Sequence, residues 1–143
     1  AIIICTSNIG SKILLDSLSE TNVMWEEAKE RVLLELRQVL KPELLNRFDD
    51  IIVFQPHDMS NLSKIAVLEL NQLAKRLAEK EITLKWTQQI PMLIANKAND
   101  PGNGARPLKR YIQDNGEGQI AKAIIEQTLK SGEEVEIKES WIV

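Results

Sequence analysis

Two short apolar runs constrain this chain more than any other feature. Ile2-Ile3-Ile4-Cys5 and Ile51-Ile52-Val53-Phe54 are continuously apolar, without the alternation of a half-exposed strand. Such runs fit strands buried on both faces, which belong to parallel sheets covered by helices. A parallel sheet needs more strands than these 143 residues offer, so the chain reads as a piece of a longer protein. Between the runs, Trp25, Ala28, Val32, Leu36 and Val39 recur at three- or four-residue spacing and predict a helix over about 23–40. Pro42 stops that helix, a short turn from Glu43 to Arg47 follows, and Pro56 ends the second run.

The pattern changes after this point. Asp58 or Ser60 caps a long helix whose apolar face is Leu62, Ala66, Leu70, Leu73 and Leu77. Ile82, Leu84 and Trp86 alternate as in an edge strand, and Thr87 stands where it caps a further helix with Pro91 in its first turn. Asn99-Asp100-Pro101-Gly102-Asn103-Gly104 is the strongest loop signal, and Pro107 suits the first position of a new helix. Asn115, Gly116 and Gly118 interrupt that helix, and Gln119–Leu129 resume it. Gly132 turns the chain into a half-exposed strand over Glu134–Lys138. The expected organisation is an α/β segment over 1–57, followed by a small, mostly helical α+β lobe with a short sheet over 58–143.

Bulk properties narrow the function. Hydrophobic residues at 43% and charged residues at 27% describe a packed domain rather than a disordered chain. A net charge of -3 argues against nucleic acid as the main partner. No apolar stretch approaches the roughly 18 residues of a membrane span. Cys5 is the only cysteine, which excludes an internal disulfide framework and a cysteine-based metal site and fits a reducing, cytoplasmic setting. In a buried strand Cys5 is a packing residue, and His57, the only histidine, reads as a loop residue.

Three segments carry residues suited to chemistry. Thr6-Ser7-Asn8 follows the first apolar run, where ligands of open parallel sheets bind, and an Asn amide accepts from water and donates to phosphate at once. Asn8 is equally readable as a turn residue. Arg47 sits on the Pro42–Asp50 turn, where a guanidinium is presentable to a partner's phosphate; pairing with Asp49 or Asp50 is the alternative. Arg106 stands beside the helix-opening Pro107, with Lys109 and Arg110 in the expected first turn. Cations there oppose the helix dipole by about 0.3–1 kcal/mol each, which points to a nearby anion, unless acidic neighbours such as Asp100 satisfy them. There is no G-x-x-x-x-G-K-[ST] phosphate loop; Gly10-Ser11-Lys12 resembles one only superficially, and no apolar run ends in Asp-Glu.

Taken together and in order, these segments resemble the Clp family of AAA+ ATPases, most nearly ClpB-type disaggregases. The resemblance covers nearly the whole chain. Residues 2–11 resemble the sensor 1 strand and turn, with Asn8 as the sensor; residues 41–50 resemble the arginine-finger segment, with Arg47 as the finger; residues 99–110 resemble the sensor 2 segment, with Arg106 as the sensor. The resemblance implies the end of a second ATPase module, with ATP or ADP and Mg2+ bound in the parent protein. The phosphate loop and magnesium-binding acids then lie upstream, and this chain alone is not expected to hydrolyse ATP. It further implies that Asn8, Ala105, Arg106 and Ile65 contact nucleotide, that the parent is a homo-hexamer, and that it acts on unfolded or aggregated polypeptides with a possible cochaperone system. Ser11–Asn22 lacks the Gly-Phe or Gly-Leu tripeptide that protease-feeding relatives use, which favours disaggregation over feeding a protease. A non-catalytic oligomerisation or protein-binding module is the other alternative. Two departures stand out: relatives usually have an aromatic two residues before the Gly-Ala-Arg, where this chain has Gly102-Asn103, and usually an Asn-Pro where it has Gly116-Glu117-Gly118.

Overall fold

A computed structural model describes residues 1–19, 24–100 and 102–142. The expected helix start at Val23, part of the Ser11–Asn22 stretch, and Pro101 of the predicted loop lie outside the described residues. The chain forms two compact units, Ala1–Pro56 and His57–Val143.

In the first unit, helix α1 (Ser11–Ser19) packs on α2 (Trp25–Val39), and a single turn, α3 (Pro42–Leu45), follows. The periodicity of α2 holds: Ala28 and Val32 are buried, although Val39 near its end is exposed. Pro42 does not merely stop a helix. Its fixed φ suits a first helical position, and it opens α3. Helix α1 was not expected from the sequence.

The two apolar runs depart from expectation. Neither forms a strand or pairs with a described segment, and Ile2, Ile3 and Ile4 are 93%, 85% and 83% exposed. Ile52 and Phe54 are likewise exposed, as is Cys5, which therefore packs nothing here. A strand is held by its neighbour's hydrogen bonds and by cover on its faces. The described residues supply no pairing neighbour and only partial cover, from a cavity that Cys5, Ile51, Ile52, Val53 and Phe54 line with residues such as Leu14 and Val32.

The second unit is mostly helical around a two-stranded parallel sheet. Helix α4 (Met59–Ala78) is capped by Asp58, whose carboxylate accepts from the Asn61 N–H at 2.6 Å. All five residues of its expected face are buried. Strand β1 (Thr83–Lys85) pairs with β2 (Glu134–Glu136) in the register Thr83↔Glu134, Leu84↔Val135, Lys85↔Glu136. The connection required between parallel strands is helical: α5 (Ile90–Lys97), α6 (Arg106–Tyr111), a π-helical turn (Ile112–Glu117) and α7 (Gly118–Ile125). A last turn, α8 (Glu139–Ile142), packs on α5 and the π turn. Leu70, Leu73, Ile90, Ile94, Leu108, Ile120, Ile137 and Ile142 are the largest fully buried side chains of this core.

Three local expectations are corrected. Thr87 is not the cap of α5: its carbonyl accepts from the Ile90 N–H, and the helix starts after Gln89. Asn115, Gly116 and Gly118 do not interrupt the helix; they lie in or just after a π turn that carries it through. The wider turn absorbs the low helix propensity of two glycines without breaking the backbone ladder, and the Asn115 amide donates to the Tyr111 carbonyl at 3.0 Å. Helix α7 ends at Ile125 rather than Leu129, where Gln127 takes φ 57°.

Candidate functional site

Asn8 is held by its backbone. Its carbonyl accepts from the Ser11 N–H at 3.2 Å and from the Ser11 hydroxyl at 2.7 Å, while the Ser7 hydroxyl accepts from the Ile9 N–H at 3.1 Å. Gly10 completes the turn at φ +78°, and a Cβ on it would lie 2.7 Å from a Val32 methyl. The turn is thus pressed against α2, while the exposed Asn8 amide has no hydrogen bond to a described residue. The turn-residue reading describes its backbone and leaves its side chain available.

Arg47 follows α3, whose turn closes through Asn46 N–H to Pro42 O at 2.9 Å and Arg47 N–H to Leu44 O at 3.0 Å. Its guanidinium is exposed and forms no ion pair with a described residue. The competing partner Asp50 instead accepts from its own neighbour's backbone, Ile51 N–H, at 2.8 Å. Ser7, Ile9, Phe48 and Asp50 help line a cavity of about 360 Å3 in this unit, but neither Asn8 nor Arg47 does.

Arg106 is the first residue of α6, with Ala105 at the cap position and Pro107 following. The sequence placed Pro107 first and Lys109 and Arg110 in the opening turn. In the structure the helix starts one residue earlier, so Lys109 closes the first turn and Arg110 lies past it and reaches Asp114 at 3.7 Å. The unfavourable encounter with the helix dipole therefore falls chiefly on Arg106. Asp100, its expected acidic partner, is occupied by the loop: one oxygen accepts from Gly102 N–H at 3.0 Å, the other from the Asn103 amide at 2.7 Å. Arg106 is exposed and pairs with no described residue. Ala105 and Ile65 are partly buried against the core, and α4, which carries Ile65, packs on α6. The second unit thus brings Ile65, Ala105 and Arg106 onto two touching helices. Asn8 and Arg47 belong to the other unit.

An unpaired guanidinium such as that of Arg106 suits an anion. The arrangement does not fit a metal: no group of three or more His, Cys, Asp or Glu among the described residues is placed to hold one. Sequence reasoning missed Tyr111, whose phenol donates to the Ile142 carbonyl at 2.5 Å and whose burial raises its pKa above the usual value. No periodicity connects residues so far apart. No described helix is long and apolar enough to cross a membrane.

Comparison with known proteins adds ancestry. The family described as the C-terminal, D2-small domain, of ClpB protein matches residues 58–137. Chaperone protein ClpB of Aquifex aeolicus is 46% identical over 136 residues, covering 92% of this chain. Chaperone protein ClpB of Lactococcus lactis subsp. cremoris is 43% identical over 124 residues, covering 87% of it. The chain spans only 14% of the length of either relative. Among solved structures, the S. cerevisiae Hsp104:casein complex in its extended conformation superimposes with TM-score 0.78 at 26% identity, covering 95% of this chain and 24% of that one. The S. cerevisiae Hsp104-ADP complex gives TM-score 0.78 at 28% identity, covering 94% of this chain and 23% of that one.

Proposed function

This chain belongs to the ClpB family of chaperones, and from that premise we propose that it is the C-terminal part of the second ATPase module of a hexameric, cytoplasmic protein disaggregase. Residues 1–57 are then the end of the module's large subdomain and 58–143 its small subdomain. The observation that carries the reading is the state of Arg106: an exposed cation at a helix start, beside an acid already engaged in its own loop. A local cost of this kind is offset by an anion. One structural relative is an Hsp104-ADP complex, which supports a nucleotide as that anion.

In this reading Arg106 binds the phosphates of the subunit's own nucleotide, and Ile65 and Ala105 border the base or ribose. The nucleotide supplies a phosphoanhydride whose cleavage drives the motor. Asn8 orients the attacking water through an amide that accepts and donates at once. Arg47 offers a guanidinium to the nucleotide of the neighbouring subunit, where a trans arginine offsets charge built up in the transition state. Among the described residues no group of three or more His, Cys, Asp or Glu is placed to hold a magnesium ion. Unfolded or aggregated polypeptide is the substrate.

Alanine substitution in the full-length protein tests the assignment. Arg47→Ala should lower ATP hydrolysis at the second module's site by at least about 10³-fold while leaving that site's nucleotide affinity unchanged. Arg106→Ala should weaken nucleotide binding as well. Wild-type hydrolysis by both variants would reject these roles and favour a non-catalytic assembly module, whose oligomerisation would also be indifferent to nucleotide.

A further inference from the structure

We propose that Tyr111 is a positioning residue for Arg106: by clasping the Ile142 carbonyl, its phenol fixes the helix that presents the guanidinium. The inference deepens the functional reading above and rests on it.

Helix α6 is held unequally at its two ends. At the start, Ala105 gives no side-chain cap, and the Arg106 N–H reaches the Asn103 carbonyl only at 3.4 Å. Gly104 precedes it at φ +61°, with open space where a Cβ would be. Midway along, Leu108 is buried in the core. Toward the far end the attachments accumulate, beginning with the buried Ile112. Arg76 of α4 donates to Glu117 of the π turn at 2.8 Å. Tyr111 donates to Ile142 at 2.5 Å, and the Ile142 side chain is itself buried.

The chemistry of the clasp is reciprocal. The last carbonyls of a helix have no intrahelical donor. The phenol satisfies one of these carbonyls and ties the end of α6 to α8, which also packs on α5 and the π turn. Tyr111 lies five positions beyond Arg106, about 7.5 Å along the helix axis. The helix is stiff over that length, so a small tilt at the clasped end displaces the guanidinium. Recognition of phosphate tolerates only about 0.5 Å of such error.

A double-mutant cycle on the full-length protein tests the proposal, with a fluorescent ADP analogue as the titrant. Tyr111→Phe keeps the ring and its packing and removes only the donor. It should weaken ADP binding about threefold, consistent with the loss of one partly buried hydrogen bond. In the Arg106→Ala background the same change should have no further effect, because the group it positions is gone. Equal weakening in both backgrounds would overturn the proposal, since a general structural defect does not depend on Arg106. Unchanged affinity in Tyr111→Phe, with weakening by Arg106→Ala, would overturn it too while leaving the functional reading intact. If Arg106→Ala alone leaves affinity unchanged, the functional reading fails, and the proposal with it.

Discussion

At Gly10 two separate requirements fall on one residue. Its φ of +78° disfavours any side chain, and a Cβ would lie 2.7 Å and 2.9 Å from the two Val32 methyls. Gly10→Ala should therefore cost about 1–3 kcal/mol in denaturant unfolding of the full-length protein. Shortening Val32 to alanine in the same chain should reduce the penalty of Gly10→Ala, because the two methyl clashes go and only the backbone strain and a tight 3.1 Å approach to the Val32 Cβ remain. Tyr111 makes a different kind of residue-scale prediction. Burial raises its pKa, so on unfolding the phenol gains acidity. Its contribution to stability is complete below about pH 10, the ordinary tyrosine value, and is lost as pH rises through the higher folded pKa. Tyr111 is the only tyrosine in the chain, so tyrosinate absorbance should report its titration directly. The Tyr111→Phe variant should lose this alkaline component of unfolding.

Among the elements, the helix from Arg106 to Ile125 is the informative one. The glycines within it lower helix propensity, yet the chain stays helical by widening into a π turn over Ile112–Glu117. Gly116 is buried there, but an added Cβ would meet Ile112 and Ile137 only at 3.9 Å and 4.0 Å. That is ordinary contact. Gly116→Ala should accordingly be tolerated and should raise the thermal stability of the second unit by up to about 1 kcal/mol. Marked destabilisation would mean that the π turn depends on glycine. Gly10 and Gly116 thus look alike in the sequence and differ in their surroundings.

For the whole molecule, the two units differ in how completely they close. Among described residues, the first unit buries only Ala28 and Val32 of its hydrophobic side chains and leaves Ile2, Ile3, Ile4, Ile52 and Phe54 exposed. The second unit has a continuous core running from Leu62 to Ile142. Expressed alone, His57–Val143 should unfold cooperatively on heating. Ala1–Pro56 should show no cooperative transition, because so little apolar burial does not offset the entropy of ordering the chain. Calorimetry of the two pieces checks both statements.

Local rules sufficed wherever one residue or one period decides the outcome. The buried stripe of α4 with its Asp58 cap, the loop ending at Gly104, the turn at Gly132 and the alternation around Leu84 all follow from the sequence. So does the order of segments by which the family resemblance was read. Tertiary structure decided what depends on a partner distant in sequence. The apolar runs 2–5 and 51–54 lack neighbours to pair with, so their strand character is not realised among the described residues. Asp50 accepts from the Ile51 N–H and Asp100 from Gly102 and Asn103, and both guanidiniums stay unpaired among the described residues. Tyr111 meets Ile142 thirty-one residues on. The physical reason is common to all three: propensity and periodicity act within a few residues, whereas pairing, charge neutralisation and burial depend on which distant groups the fold brings within reach.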